Sequence, residues 1–241
     1  MSAPVNPPPP PRGISLYNRF RRWLILSVAS SDRRSGSVAS KFRLRRWQLI
    51  KEVLALRGTE TVLDVGGTDK SWWFVDWGGP VTRCNLSKNA ASKGLRVVGD
   101  GRSLPFRDRQ FDVTFSNSVI EHINTVEGQT LFARELERTG RRFFLQTPNK
   151  WFPIEPHYLF PCFQFLPVPV QRWLHTHFHI GTFRKWDPFG TIRLMSRREL
   201  RRLFPTARIL PERLGPFVKS WYVVSAEDGP EPGRWPEGKG L

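Results

Sequence analysis

Asp64-Val65-Gly66-Gly67-Thr68 closes a short apolar run with two glycines. In such a turn the missing side chains let backbone amides approach a ligand. A second run, Arg96-Val97-Val98-Gly99, ends at Asp100. Leu104-Pro105-Phe106-Arg107-Asp108 then leads to Phe111-Asp112-Val113-Thr114-Phe115-Ser116-Asn117, with Glu121-His122 close behind. Histidine is the side chain whose ordinary pKa lies nearest neutrality, so His122 is suited to proton transfer. Further on, Glu155, His157 and Tyr158 stand among Trp151, Phe152, Pro153 and Pro156. Polar groups in a stiff aromatic loop can orient a substrate inside an apolar pocket. His175, His177 and His179 alternate, and on a strand they would share one face, which is a metal-ligand pattern. No cysteine lies close to them and the nearest acid is Asp187, so they read as surface or stacking groups and no metal is assigned.

The elements that must position these residues follow from periodicity. Leu44, Trp47, Ile50, Val53 and Leu54 recur at helical spacing over about Ser40 to Arg57, with Gly58 as the stop. From Glu60 the texture changes to short apolar strands separated by turns and helices: Thr61–Val65, Val81–Cys84, Leu95–Val98, Phe111–Ser116 and Arg142–Gln146, with a helix around Glu127–Arg138. Strands alternating with helices predict a parallel sheet with ligands at its carboxyl ends. Ser196-Arg197-Arg198-Glu199 matches a capping box that opens a helix through Leu203. Arg208–Leu210 and Val218–Ser225 supply two last strands, predicted to be antiparallel neighbours. Residues 1–13 read as a disordered proline-rich leader, 14–37 as a basic amphipathic helical extension, 38–226 as the main domain, and 227–241 as a loose tail.

This ordered set of motifs resembles the class I S-adenosylmethionine-dependent methyltransferases, most closely the small-molecule "type 11" branch that includes quinone-biosynthesis methyltransferases. The resemblance covers about Thr61 to Asn149, and the order of elements continues to Ser225. It implies an α/β fold: a Rossmann-like, seven-stranded, mostly parallel sheet with helices on both faces. An amino-terminal helical extension precedes it, and an insertion of about residues 150–195 follows the fifth strand.

By the same resemblance S-adenosyl-L-methionine is the cofactor. Asp64, Gly66 and Gly67 would sit beside its methionine part, Asn85 at its ribose, Asp100 and Gly101 at its adenine, and Asn117 and Ser118 on the floor of the site. His122 would be the catalytic base, and Glu155, His157 and Tyr158 would contact substrate. Two departures stand out: Thr68 and Lys70 replace later turn glycines, and Asn85 replaces the acid that holds the ribose hydroxyls. An aspartate at position 85 is therefore expected to hold the cofactor as tightly or more tightly, by adding a charge-assisted bond.

Composition bounds the partners. The chain has 241 residues and 39% hydrophobic content, enough for a full core, with a net charge of +17 from 38 basic and 21 acidic side chains. Residues 12–57 hold twelve basic side chains against Asp32 and Glu52, which is +10 of that excess. No apolar stretch reaches the ~20 residues of a spanning helix. Two cysteines, Cys84 and Cys162, make no disulfide framework, and a cytoplasmic setting is expected. Tyr17, Phe20, Trp23 and Leu24 among arginines suit either packing on the domain's own sheet, which is favoured, or peripheral contact with the anionic inner face of a membrane, near a small or lipid-linked substrate. An RNA methyltransferase using the basic surface is the alternative, disfavoured because Ser116-Asn117-Ser118-Val119 lacks the Pro-Pro-Tyr motif of base-amine methylation. A non-catalytic binding protein that kept the fold is the third reading.

Overall fold

In the computed structural model, the described residues are 38–68, 72, 75–87, 94–158, 160–178 and 191–225. The leader, the 14–37 extension and the 227–241 tail lie outside them. In chain order the elements are α1 (Val38–Val53), β1 (Val62–Val65), β2 (Val81–Asn85), β3 (Leu95–Val98), β4 (Phe111–Asn117), α2 (Val126–Thr139) and β5 (Gly140–Pro148). Then come β6 (Ile154–Glu155), β7 (Phe160–Pro161), α3 (Val168–Phe178), α4 (Arg197–Leu203), β8 (Arg208–Leu214) and β9 (Phe217–Val224).

Seven strands form one sheet in the order β3-β2-β1-β4-β5-β9-β8. The first five run parallel, and β9 lies antiparallel to both β5 and β8. β1 sits at the centre and is buried at all four positions, as a strand covered on both faces must be. The two faces carry separate cores. On one, α1 lays Trp47, Ile50, Val53 and Leu54 over Val62, Val113, Phe115 and Phe144. On the other, Phe132 and Leu136 of α2 and Leu200 of α4 meet Leu63, Val65 and Leu145. Each of these fully covered side chains contributes roughly 1.5–3 kcal/mol.

Local signals set the boundaries. α1 ends before Gly58, because Ala55 already turns left-handed at φ 47 and the Leu56 amide reaches back to the Lys51 carbonyl. Thr125 caps α2 by accepting from the Gly128 amide, and Ser196 with Glu199 forms the expected capping box of α4. β8 and β9 are longer than the sequence suggests, joined through Gly215 and Pro216 with Gly215 at φ 57. Between β1 and β2 no helix occurs among the described residues. The insertion holds the small β6–β7 hairpin and α3. Because α3 is a helix, His175 and His177 do not share a face as they would on a strand, and the His177 ring bonds back to the Trp173 carbonyl instead. His179 lies outside the described residues.

Candidate active site

The carboxyl ends of β1, β2 and β3 and the turn after β4 enclose a cavity of about 790 Å³, within the range of small-molecule sites. Its wall includes Val65, Gly66, Asn85, Asp100, Gly101, His122 and Phe132. Gly66 stands at φ 78, donates its amide to the Cys84 carbonyl at 2.8 Å, and has no room for a side chain, since a Cβ would lie 2.5 Å from a Val119 methyl. At Gly67 a Cβ would fall 1.8 Å from a carboxylate oxygen of Asp64, and at Gly101 one would fall 2.5 Å from the Phe132 ring. All three positions bring bare backbone against the protein's own side chains, which leaves no room for a Cβ at any of them.

Asp64 does not lie on the cavity wall. It is completely buried under the glycine turn, on the α1 side, where the Trp72 indole donates to it at 2.7 Å. Its Oδ1 has no hydrogen-bond partner. Burial pushes its pKa up to about 7, against the opposing pull of Trp72 and Arg83. The folded protein therefore retains a proton that the unfolded chain releases near 3.8. Stability from this group is full at low pH and falls as pH rises from about 4 to about 7. Asp64→Asn keeps an acceptor for Trp72 and removes the titration. In thermal melts at several pH values the variant should match the wild type near pH 4 and exceed it increasingly toward pH 8.

Asn85 uses its amide differently from the sequence expectation. Its Nδ2 donates to the Gly67 carbonyl at 3.0 Å and so fastens the glycine turn to the end of β2, while the residue still faces the cavity. An aspartate here would set a carboxylate oxygen against that carbonyl. The expected sign reverses: Asn85→Asp should weaken cofactor binding by about tenfold or more, since losing such a bond costs ~1–3 kcal/mol. Isothermal titration decides between the two signs.

Asp100 binds Arg102 through its backbone amide at 2.9 Å and its guanidinium at 2.6 Å. The Arg102 bond, opposed by slight burial, holds this carboxyl below its usual range. Asn117 and Ser118 do not lie on the wall. The Asn117 side-chain oxygen accepts from the Arg46 guanidinium of α1, and Ser118, left-handed at φ 55, donates its hydroxyl to Gln146 at 2.7 Å.

After β4, a single 3-10 turn (Ile120–His122) places its two polar residues oppositely. His122 is exposed and faces the cavity, whereas Glu121 is fully buried. Thr147 donates to Glu121 Oε2 at 3.0 Å, and Oε1 has no hydrogen-bond partner. Burial pushes this carboxyl up to about 7, with the nearby His157 pulling the other way. The insertion closes in from above: the rings of His122 and His157 meet edge to face at 5.0 Å. His157 Nδ1 pairs with Glu155 at 2.7 Å, Glu155 also accepts the Tyr158 amide, and the buried Tyr158 ring stacks on Phe163. Glu155, His157 and Tyr158 thus form one unit beside the cavity, off its wall, and reach it through His122.

The sequence reading missed a buried ionic cluster behind the site. Arg46 bonds Glu212 at 3.1 Å, and Glu212 also accepts from Ser220 and Tyr222 and pairs with Lys219 at 3.5 Å. Burial alone would push Glu212 up, yet Arg46 and Lys219 outweigh it and hold the carboxyl at about 2.

Residues 63–142 match the family model for a methyltransferase domain. The fold is shared with the PH0226 protein of Pyrococcus horikoshii, at 17% identity and a TM-score of 0.54, over 86% of this chain and 97% of that one. It is also shared with an S-adenosylmethionine-dependent methyltransferase of Clostridium acetobutylicum, at 10% identity and a TM-score of 0.53, over 87% and 98% of the two chains. A search of curated proteins finds no match. Residues 63–142 are thus similar to a methyltransferase domain, and the chain shares its fold with an S-adenosylmethionine-dependent methyltransferase. S-adenosylmethionine is the methyl donor of such methyltransferases, and the residues present fit it: a turn of bare backbone at Gly66 and Gly101 and a cavity of suitable size.

Proposed function

We propose that the protein transfers a methyl group from S-adenosylmethionine to a small or lipid-like acceptor held between the cavity and the insertion. The observation that carries this reading is the cavity at the strand ends, where Gly66, Asn85, Asp100 and Gly101 converge. These residues would hold the cofactor, whose sulfonium supplies an electrophilic methyl group. Gly66 and Gly101 contribute close backbone, Asn85 keeps the turn in place while offering its side-chain oxygen, and Asp100 adds a carboxylate held ionised by Arg102. Transfer is an in-line displacement, so alignment of acceptor and donor supplies much of the rate. His122 stands at the junction of cavity and insertion, placed to orient an acceptor hydroxyl and to take its proton. The exposed Trp151, stacked on Phe165, supplies apolar surface for the rest of the acceptor.

The acceptor class rests on the apolar character of the insertion. The 14–37 extension, for which membrane contact is one expectation, is outside the described residues, and among those described no helix is long and apolar enough to cross a membrane. Calorimetric titration with S-adenosylmethionine and S-adenosylhomocysteine tests the premise. One-to-one binding of both is the expected result, and absence of heat with either one favours the non-catalytic reading.

A further inference from the structure

Beyond the cofactor cavity, the turn after β4 and the insertion bring together Glu121, His122 and His157. One ligand-capable atom from each lies within 4.8 Å of the other two. We propose that these three side chains bind one divalent transition-metal ion at the rim of the cavity.

Three observations converge on this. The first is the carboxylate of Glu121, which is wholly buried, with Oε1 lacking any hydrogen-bond partner. A buried carboxylate oxygen without a partner is costly, and a cation beside it removes the cost. The second is the support behind His157. Glu155 is only 2% exposed and holds His157 Nδ1 at 2.7 Å, and the Tyr158 amide in turn holds Glu155. With Nδ1 carrying the proton toward Glu155, the ring's other nitrogen carries the lone pair. A carboxylate behind a ligating histidine is the usual outer support of a metal site. The third is placement: the ligands come from two elements far apart in sequence, and His122 also lines the cavity.

The donor set selects the ion. Two imidazoles and one carboxylate suit zinc, manganese or ferrous iron, whereas magnesium and calcium prefer oxygen-only sites. Bond lengths of ~2.0–2.2 Å require the three groups to draw together slightly from their present spacing. Three protein ligands leave positions open, and those on the His122 side face the cavity. There an acceptor oxygen would coordinate, and the ion would ease loss of its proton to solvent. In that state His122 holds the ion instead of receiving the proton. This role rests on the methyl-transfer reading, while metal binding itself does not.

Metal-stripped full-length protein titrated with zinc, and separately with cobalt followed by visible absorption, tests the site. One ion per chain is expected, with a cobalt spectrum that zinc abolishes. Glu121→Gln, which preserves shape, and His122→Ala, at an exposed position, should each weaken zinc binding by about 100-fold or more, while Glu155→Gln should weaken it about 10- to 100-fold. A paired change of His175 and His177 to alanine should leave it unaltered. The proposal is overturned by wild-type protein that takes up no zinc, or by affinity unmoved in both Glu121→Gln and His122→Ala. S-adenosylhomocysteine titrated into the same samples separates the two ideas. Cofactor binding by wild-type protein that takes up no zinc defeats this site alone, and zinc uptake without cofactor binding defeats only the methyltransferase reading.

Discussion

Gly66→Val is expected to abolish binding of S-adenosylhomocysteine in a calorimetric titration, while the protein still melts cooperatively. Gly66 occupies the left-handed region at φ 78, which a β-branched residue enters only with strain. The new side chain would also start 2.5 Å and 2.9 Å from the two methyls of Val119, and its remaining room is the cavity itself. The strain costs of order 1–3 kcal/mol, which a domain of this size survives. Gly215→Ala separates strain from obstruction. Gly215 is likewise left-handed, at φ 57, but nothing lies within 4 Å of its added Cβ and it sits in the β8–β9 turn. That variant should lose a comparable part of its stability and bind the ligand as the wild type does. Binding by Gly66→Val within about tenfold of the wild type would remove the cavity from consideration as the cofactor site.

The second large effect concerns Arg46. Its side chain is 11% exposed and it serves Glu212, Tyr222 and Asn117 together, so it joins α1 to β8, β9 and the end of β4. Arg46→Met fills similar volume but strands the Glu212 carboxylate, which is 5% exposed, with Lys219 as its remaining charge partner. Breaking a buried pair from one side costs ~3–5 kcal/mol, whereas removing both charges is often nearly neutral. Arg46→Met should lower the melting temperature by about 6–15 °C, and adding Glu212→Gln should restore most of it. A single variant that melts with the wild type would show that the cluster carries little net stability.

Much of this architecture was readable from spacing. The buried runs of β1 and β4, the glycines between them and the capping box at Ser196 depend on neighbours within a few residues, and sequence reports such neighbours directly. What stayed hidden depends on distant partners. Asn117 reads as a floor residue until Arg46, 71 positions earlier, is seen to engage it. Asn85 reads as a ribose ligand, yet its amide spends a donor on Gly67, 18 positions away. Glu121 reads only as the neighbour of His122, because nothing local says it will be buried and left with one oxygen unpartnered. Alternation would set His175 and His177 on one face of a strand, yet this segment is helical despite Pro167 and Pro169. Proline is also at home in a helix's first turn, and α3 begins there.

The tryptophans beneath the glycine turn give the molecule an optical property. Trp72 donates its indole N–H to Asp64, the carboxylate packed under Gly67, and its ring lies 4.7 Å from Trp47 and 6.0 Å from Trp77. At such separations excitation passes readily between rings, so the three emit as a coupled group rather than singly. Anything that alters the charge or position of Asp64 also alters the electric field on the indole at the centre of that group. A ligand that shifts the glycine turn is therefore expected to change the protein's own ultraviolet emission, a label-free readout for the titrations above.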